Sequence, residues 1–162
     1  MNEAYDDNYG TCKETSTCFR IMHPDLDLAA ISQQLDLVPA WTRQKGQIYG
    51  KSTPQRISIW ALDTEGIITS RDMRRHLDWL LDQLEPKRDV LAQFRERGYE
   101  MDLYCLWCRL GGTGGPMLSP YQMTRMAALE LTIGFEFWHE DEDEDENEDE
   151  SPPADQQPVR VG

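Results

Sequence analysis

Cys105-Leu-Trp-Cys108 has the spacing used by zinc thiolates and by redox dithiols. With Cys12 or Cys18 it would offer three or four sulfur ligands. The pair lies inside an apolar stretch that reads as a β-strand, where side chains alternate and positions three apart face opposite ways. A redox pair of this type normally opens a helix, whose N-terminus stabilises the thiolate. The spacing therefore points to reduced structural cysteines, with no metal and no cofactor expected. His23, His76 and His139 are scattered and belong to no nucleophile or metal motif. His76 stands among Arg74, Arg75 and Asp78 at the edge of a helix stripe and is expected to be partly solvated. Gly111-Gly-Thr-Gly-Gly115 precedes a helix, as a phosphate cradle does, but the Gly-Lys-Ser/Thr of a P-loop is missing. No catalytic residue is assigned, and the chain reads as non-enzymatic.

Binding chemistry is better represented. Residues 38–56 carry Arg43, Lys45, Lys51 and Arg56 and no acid, with Trp41 and Tyr49 among them. Together with Trp60 of the following strand, Trp41, Arg43, Lys45, Lys51 and Arg56 form a candidate cationic-aromatic site for a phosphate or an acidic partner. The same residues also read as an ordinary loop whose Trp41 packs on the sheet. A second run of bases, Arg71 to Arg97, is balanced by acids, so it reads as a mixed solvated face and direct nucleic-acid binding is not expected. The C-terminal run EDEDEDENEDE has ten acids in eleven positions. It has nothing to bury and repels itself, so residues 140–162 are expected to be a disordered acidic tail. From Glu140 onward there are eleven acids and one base, against nineteen acids and fifteen bases before it. The net charge of −14 is thus mostly the tail's.

The elements that would position these residues follow from periodicity. Residues 1–16 are polar and aperiodic, a flexible leader. CFRIM (18–22) alternates as a short strand. Asp27 caps a helix with Leu28, Ile31 and Leu35 on one side. Residues 38–56, with two prolines and two glycines, read as a long loop. ISIWAL (57–62) is a second strand. A helix opening near Ser70 carries Met73, Leu77, Leu80, Leu81 and Leu84, is interrupted by Pro86, and resumes with Val90, Leu91 and Phe94 until Gly98. YEMDLYCLWCRL (99–110) is a third strand, Ser119-Pro120 opens a last helix, and LTIGFEFW (131–138) alternates as the fourth. The order β-α-β-αα-β-α-β predicts an α+β two-layer sandwich: a four-stranded, mainly antiparallel, ferredoxin-like sheet with helices on one face, formed by residues 17–139. Two strand–helix segments that both end Leu-acid-Leu (35–37 and 129–131) suggest an internal duplication.

The blocks LDLAAISQQLDLVP, ISIWAL, MRRHLDWLLDQLEPKRDVLAQFRERG and LSPYQMTRMAALELTIGFEF, with Pro39, Gly46, Trp60 and Leu131 as the sharper points, resemble the bacterial domain-of-unknown-function family numbered 4279. The resemblance runs from about Cys18 to Trp138. It implies a bacterial protein and no particular activity, cofactor or site residue.

No apolar run approaches the roughly 20 residues of a membrane helix, and the N-terminus lacks a signal-peptide pattern. A cytoplasmic location and no membrane partner are expected. The expected function is a protein-binding domain, in its most concrete form an immunity-type protein that neutralises a basic partner. The alternative is a small-molecule or phosphate-binding sensor, or an unknown enzyme, using the basic loop 38–56. A third reading has the acidic tail fold back on that loop. Oligomeric state cannot be read from the sequence.

Overall fold

The computed structural model describes residues 4–51 and 53–139. The expected tail, 140–162, lies outside the described residues. The elements in chain order are β1 (Cys12–His23), α1 (Leu28–Leu35), β2 (Trp41–Arg43), β3 (Ser58–Asp63), α2 (Met73–Leu84), a 3-10 turn (Glu85–Lys87), α3 (Arg88–Glu96), β4 (Glu100–Arg109), α4 (Pro120–Ala128) and β5 (Thr132–His139). The architecture is α+β, with one open sheet ordered β2-β3-β1-β4-β5. Neighbours pair antiparallel except β4 and β5, which are parallel and joined through α4. No helix among the described residues is long and apolar enough to cross a membrane.

The sheet has five strands, where four were expected. The addition is β2, three residues within the supposed loop, which pair Trp41 with Ala61, Thr42 with Trp60 and Arg43 with Ile59. Three residues cannot show an alternation of their own, and this strand forms because β3 offers it an open edge. β1 is also far longer than CFRIM. Its first half, CKETST, is polar, yet Thr15 and Thr17 are buried in the middle of the sheet. The domain boundary expected at residue 17 therefore falls inside β1. Residues before it are tied to α2, its cap and β4: the Tyr5 hydroxyl donates to Asp78 at 2.7 Å, the Asp6 amide to Asp72 at 2.8 Å, and Tyr9 meets Trp107 edge-on at 5.5 Å.

The helix ends follow local chemistry. Asp27 accepts from the Ala30 amide at 3.0 Å, and Asp72 caps α2 by accepting from Arg74 at 3.0 Å. Pro86 turns the chain into the 3-10 segment before α3, and α4 begins with Pro120 behind Ser119, whose amide donates to Gln122 at 3.2 Å. The two Leu-acid-Leu sequences adopt the same conformation. Asp36 and Glu130 are left-handed, at φ 52° and 53°, and the leucines after them donate back to Ser32 and Met126. Both are Schellman stops, so the likeness of these two segments is a likeness of helix ends. Their continuations differ, because α1 leads to β2 at the far edge whereas α4 leads to β5 beside β4.

The core lies between one face of the sheet and the helices. Phe19, Ile21, Trp60, Leu62, Leu103, Cys105 and Trp107 meet Ile31, Leu35, Leu77, Leu80, Leu81, Leu84, Phe94 and Met126. Each fully buried Leu, Ile or Phe contributes about 1.5–3 kcal/mol relative to exposure.

Charge is buried here as well. Asp78 of α2, 5 % exposed, accepts from Tyr5, from the Gln122 amide at 2.8 Å and from Arg125 at 3.0 Å. Arg125 also reaches Asp82 at 2.6 Å and Glu85 at 2.7 Å. Its hydrogen bonds to Glu85 and Asp82 hold the guanidinium pKa well above the ordinary value. Arg125→Ala removes the cation and leaves Asp78 buried and uncompensated. The expected loss is about 3 kcal/mol in urea-monitored unfolding, and a loss under about 1 kcal/mol would show that the cluster does not clamp α4 to α2.

Candidate functional site on the open face of the sheet

Alternation gives the sheet a second face that no described helix covers. β1 presents Ser16, Cys18, Arg20 and Met22 there, and the register sets Asp63, Ala61 and Ile59 of β3 on one side and Leu106, Tyr104, Asp102 and Glu100 of β4 on the other. Trp41 and Arg43 join from β2, and Gly134, Glu136 and Trp138 from β5.

These side chains form an ordered array. Arg20 donates two hydrogen bonds to Asp102, at 2.9 and 2.7 Å, and its guanidinium lies 4.2 Å from the Tyr104 ring centre. The Tyr104 hydroxyl donates to Glu136 at 2.8 Å, which pushes the phenol pKa up. The Trp41 indole donates to Asp63 at 3.2 Å, and the Glu65 amide caps the other oxygen of the same carboxylate at 2.9 Å. Gly134 makes this packing possible, since a Cβ there would stand 3.2 Å from the Tyr104 ring. Between Trp41, Tyr104 and Glu136 lies a trough of about 310 Å³ floored by Ser16, Cys18 and Arg20. A larger cleft of about 560 Å³ adjoins it through Ser16, Glu65 and Leu106 and runs past Glu14 to Trp138 and Arg71. Asp102 neutralises Arg20, so Asp63, Glu65 and Glu136 give the trough a negative surplus beside two aromatic rings. That combination suits a cation.

The residues singled out in the sequence separate in space. Trp41 and Arg43 share the open face, and Arg43 stacks on Tyr49 at 4.3 Å and lies 5.4 Å from Trp41. Lys45 sits 3.9 Å from Asp25, while Lys51 and Arg56 are exposed on the loop that follows. Trp60 points the other way. It is fully buried in the core, where its indole donates to Ser32 of α1 at 2.9 Å. A pocket uniting Trp41, Arg43, Lys45 and Trp60 is therefore not formed, because residues 41 and 60 occupy opposite faces of the sheet. The residues that build the trough, Arg20, Asp63, Tyr104 and Glu136, were not singled out. Their signal was present as the polar half of each strand's alternation, but which strands lie side by side was not.

The four thiols and His76 are buried. Cys105 faces the core and Cys108 the opposite side, as alternation requires. All four cysteines are buried and free. Burial pushes the Cys12 and Cys18 thiols up to about 12. His76, expected to be partly solvated, is fully buried. On the helical repeat it belongs with Met73, Leu77 and Leu80, and its charged sequence neighbours misdirect the reading. Its Nε2 donates to the Ser70 carbonyl at 2.8 Å, and Nδ1 accepts from Thr64 at 2.7 Å.

With this geometry in view, the chain can be placed: it belongs to the family described as Domain of unknown function (DUF4279), which matches residues 13–140. No curated protein and no solved structure matches it.

Burial holds the His76 pKa below its ordinary 6.5. The unfolded chain therefore binds the proton more readily than the folded one. The resulting stability is fully present above pH 6.5 and is lost as pH falls from there toward the depressed folded value. Thermal melts should show a lower Tm at pH 5.5 than at pH 7.5, with a smaller difference in His76→Gln. An equal difference in the variant would assign the effect to other groups.

Proposed function

We propose that this protein is a non-enzymatic binding module that presents the open face of its sheet to a basic protein partner. The observation that carries the reading is the uncovered trough. Trp41 and Tyr104 wall it, and its lining carries Asp63, Glu65 and Glu136 against Arg20, which Asp102 pairs. A Lys or Arg side chain inserted there would stack on an aromatic ring and pair with a carboxylate. In its most concrete form the partner is a basic toxin and this chain its immunity protein, with the polyanionic residues 140–150 adding long-range attraction.

The test is titration of a lysine- and arginine-rich peptide, read by the fluorescence of Trp41 and Trp138. Binding should weaken with salt and fall at least about tenfold in the triple variant Asp63→Asn, Glu65→Gln, Glu136→Gln, whose tail is intact. Unchanged affinity in that variant would transfer the attraction to the tail and remove the trough from the account.

A second reading, a phosphate-binding sensor at the loop 38–56, is favoured by Arg43, which is half-buried with its guanidinium 4.3 Å from the Tyr49 ring centre. Here phosphorylated metabolites should raise Tm and Arg43→Ala should abolish the rise; no compound raising Tm would end this reading.

We also read β1 to β4 as a ferredoxin-like unit. Their order β2-β3-β1-β4, antiparallel throughout, with α1 leading from β1 to β2 and α2–α3 leading from β3 to β4, supports a βαββαβ core extended by α4 and β5.

A further inference from the structure

We propose that the outer edge of β5 is a self-pairing interface, through which two copies of this chain join antiparallel about a two-fold axis at Phe135. β5 closes the sheet order, so one of its edges pairs with β4 and the other has no strand against it among the described residues. An eight-residue edge with unpaired amides and carbonyls is a template for another strand, whereas β2 at the opposite edge offers three residues. The edge is also apolar. Phe135, Phe137 and Trp138 are 36 %, 55 % and 45 % exposed, and the two phenylalanine rings stack at 6.0 Å. The helix layer stops short of them.

The sequence of β5 suits a second copy of itself. A two-fold axis normal to the sheet keeps each face continuous only when centred on a residue. Centred on Phe135, Ile133 stands opposite the second copy's Phe137, which gives a continuous apolar row on one face. On the other face Glu136 stands opposite Gly134 and Trp138 opposite Thr132, so no like charges meet. Centring on Glu136 would oppose two carboxylates, and centring on Gly134 would set Phe137 against Leu131, which is buried in its own core.

The charge that follows β5 selects this arrangement over others. Ten acids fall within residues 140–150. In a parallel or open-ended stack of β5 edges, successive polyanions would start about 4.8 Å apart. In the antiparallel pair they leave at opposite ends of a ribbon about 27 Å long, several Debye lengths apart at physiological salt. The acidic run thus acts against open stacking and permits the closed pair.

The test uses the full chain. Phe135→Cys places each new thiol opposite its own copy, at a Cα separation of about 4.5–5.5 Å that a disulfide can bridge. The native thiols are buried. Mild oxidation should convert most of Phe135→Cys to a linked dimer and much less of Phe137→Cys, whose thiol faces Ile133. In sedimentation of the parent chain, the dimer dissociation constant should fall roughly tenfold between about 50 and 500 mM salt, and Phe135→Lys should be monomeric with an unchanged far-ultraviolet circular dichroism spectrum. A parent chain that stays monomeric to about 1 mM at high salt overturns the proposal. So does equal crosslinking of the two cysteine variants, or a dimer that Phe135→Lys leaves intact.

Discussion

The Asp78 carboxylate is the point on which three parts of the chain converge. It sits on α2, almost without solvent, and is satisfied by Tyr5 from before β1 and by Gln122 and Arg125 from α4. Burying a charge is costly, and the cost is offset only if every partner is present with good geometry. The cluster therefore favours one arrangement of these segments over nearby alternatives. Fixing α4 against α2 sets where the chain re-enters the sheet, and so it places β5, Glu136 and Trp138. The wall of the open-face trough on that side depends on an interaction in the helix layer.

The sheet separates two chemistries by alternation alone. On one side large apolar side chains meet the helices. On the other, the intervening positions assemble Arg20, Asp102, Tyr104 and Glu136 from three strands as two hydrogen-bonded pairs, joined where Arg20 lies over the Tyr104 ring. The trough on that side combines aromatic walls with the carboxylates of Asp63, Glu65 and Glu136.

Much of the fold was legible in the sequence because its causes are local. The Asp27 cap, the stripe from Met73 to Leu84, the break at Pro86 and the alternation of β4 and β5 each follow from short-range chemistry, and each stands within a residue or two of expectation. β2 was not legible because its three residues form a strand only when β3 lies beside them. The buried Asp78 was not legible because its partners are 73 and 47 residues away. The candidate site shows the same division. Residues 38–56 stood out by composition, but the strand register sends Trp60 into the core and brings Asp63, Tyr104 and Glu136 to Trp41 instead.

The segment from Tyr5 to Tyr9 bears on where the folded unit of this chain begins. The shared family pattern starts at residue 13, yet Asp78, Asp72 and Trp107, all within it, take partners from residues 5 to 9. The matched stretch is thus smaller than the set of residues that pack together in this chain. A polypeptide trimmed to the family boundaries would expose one edge of Trp107 and leave the buried Asp78 short of one donor.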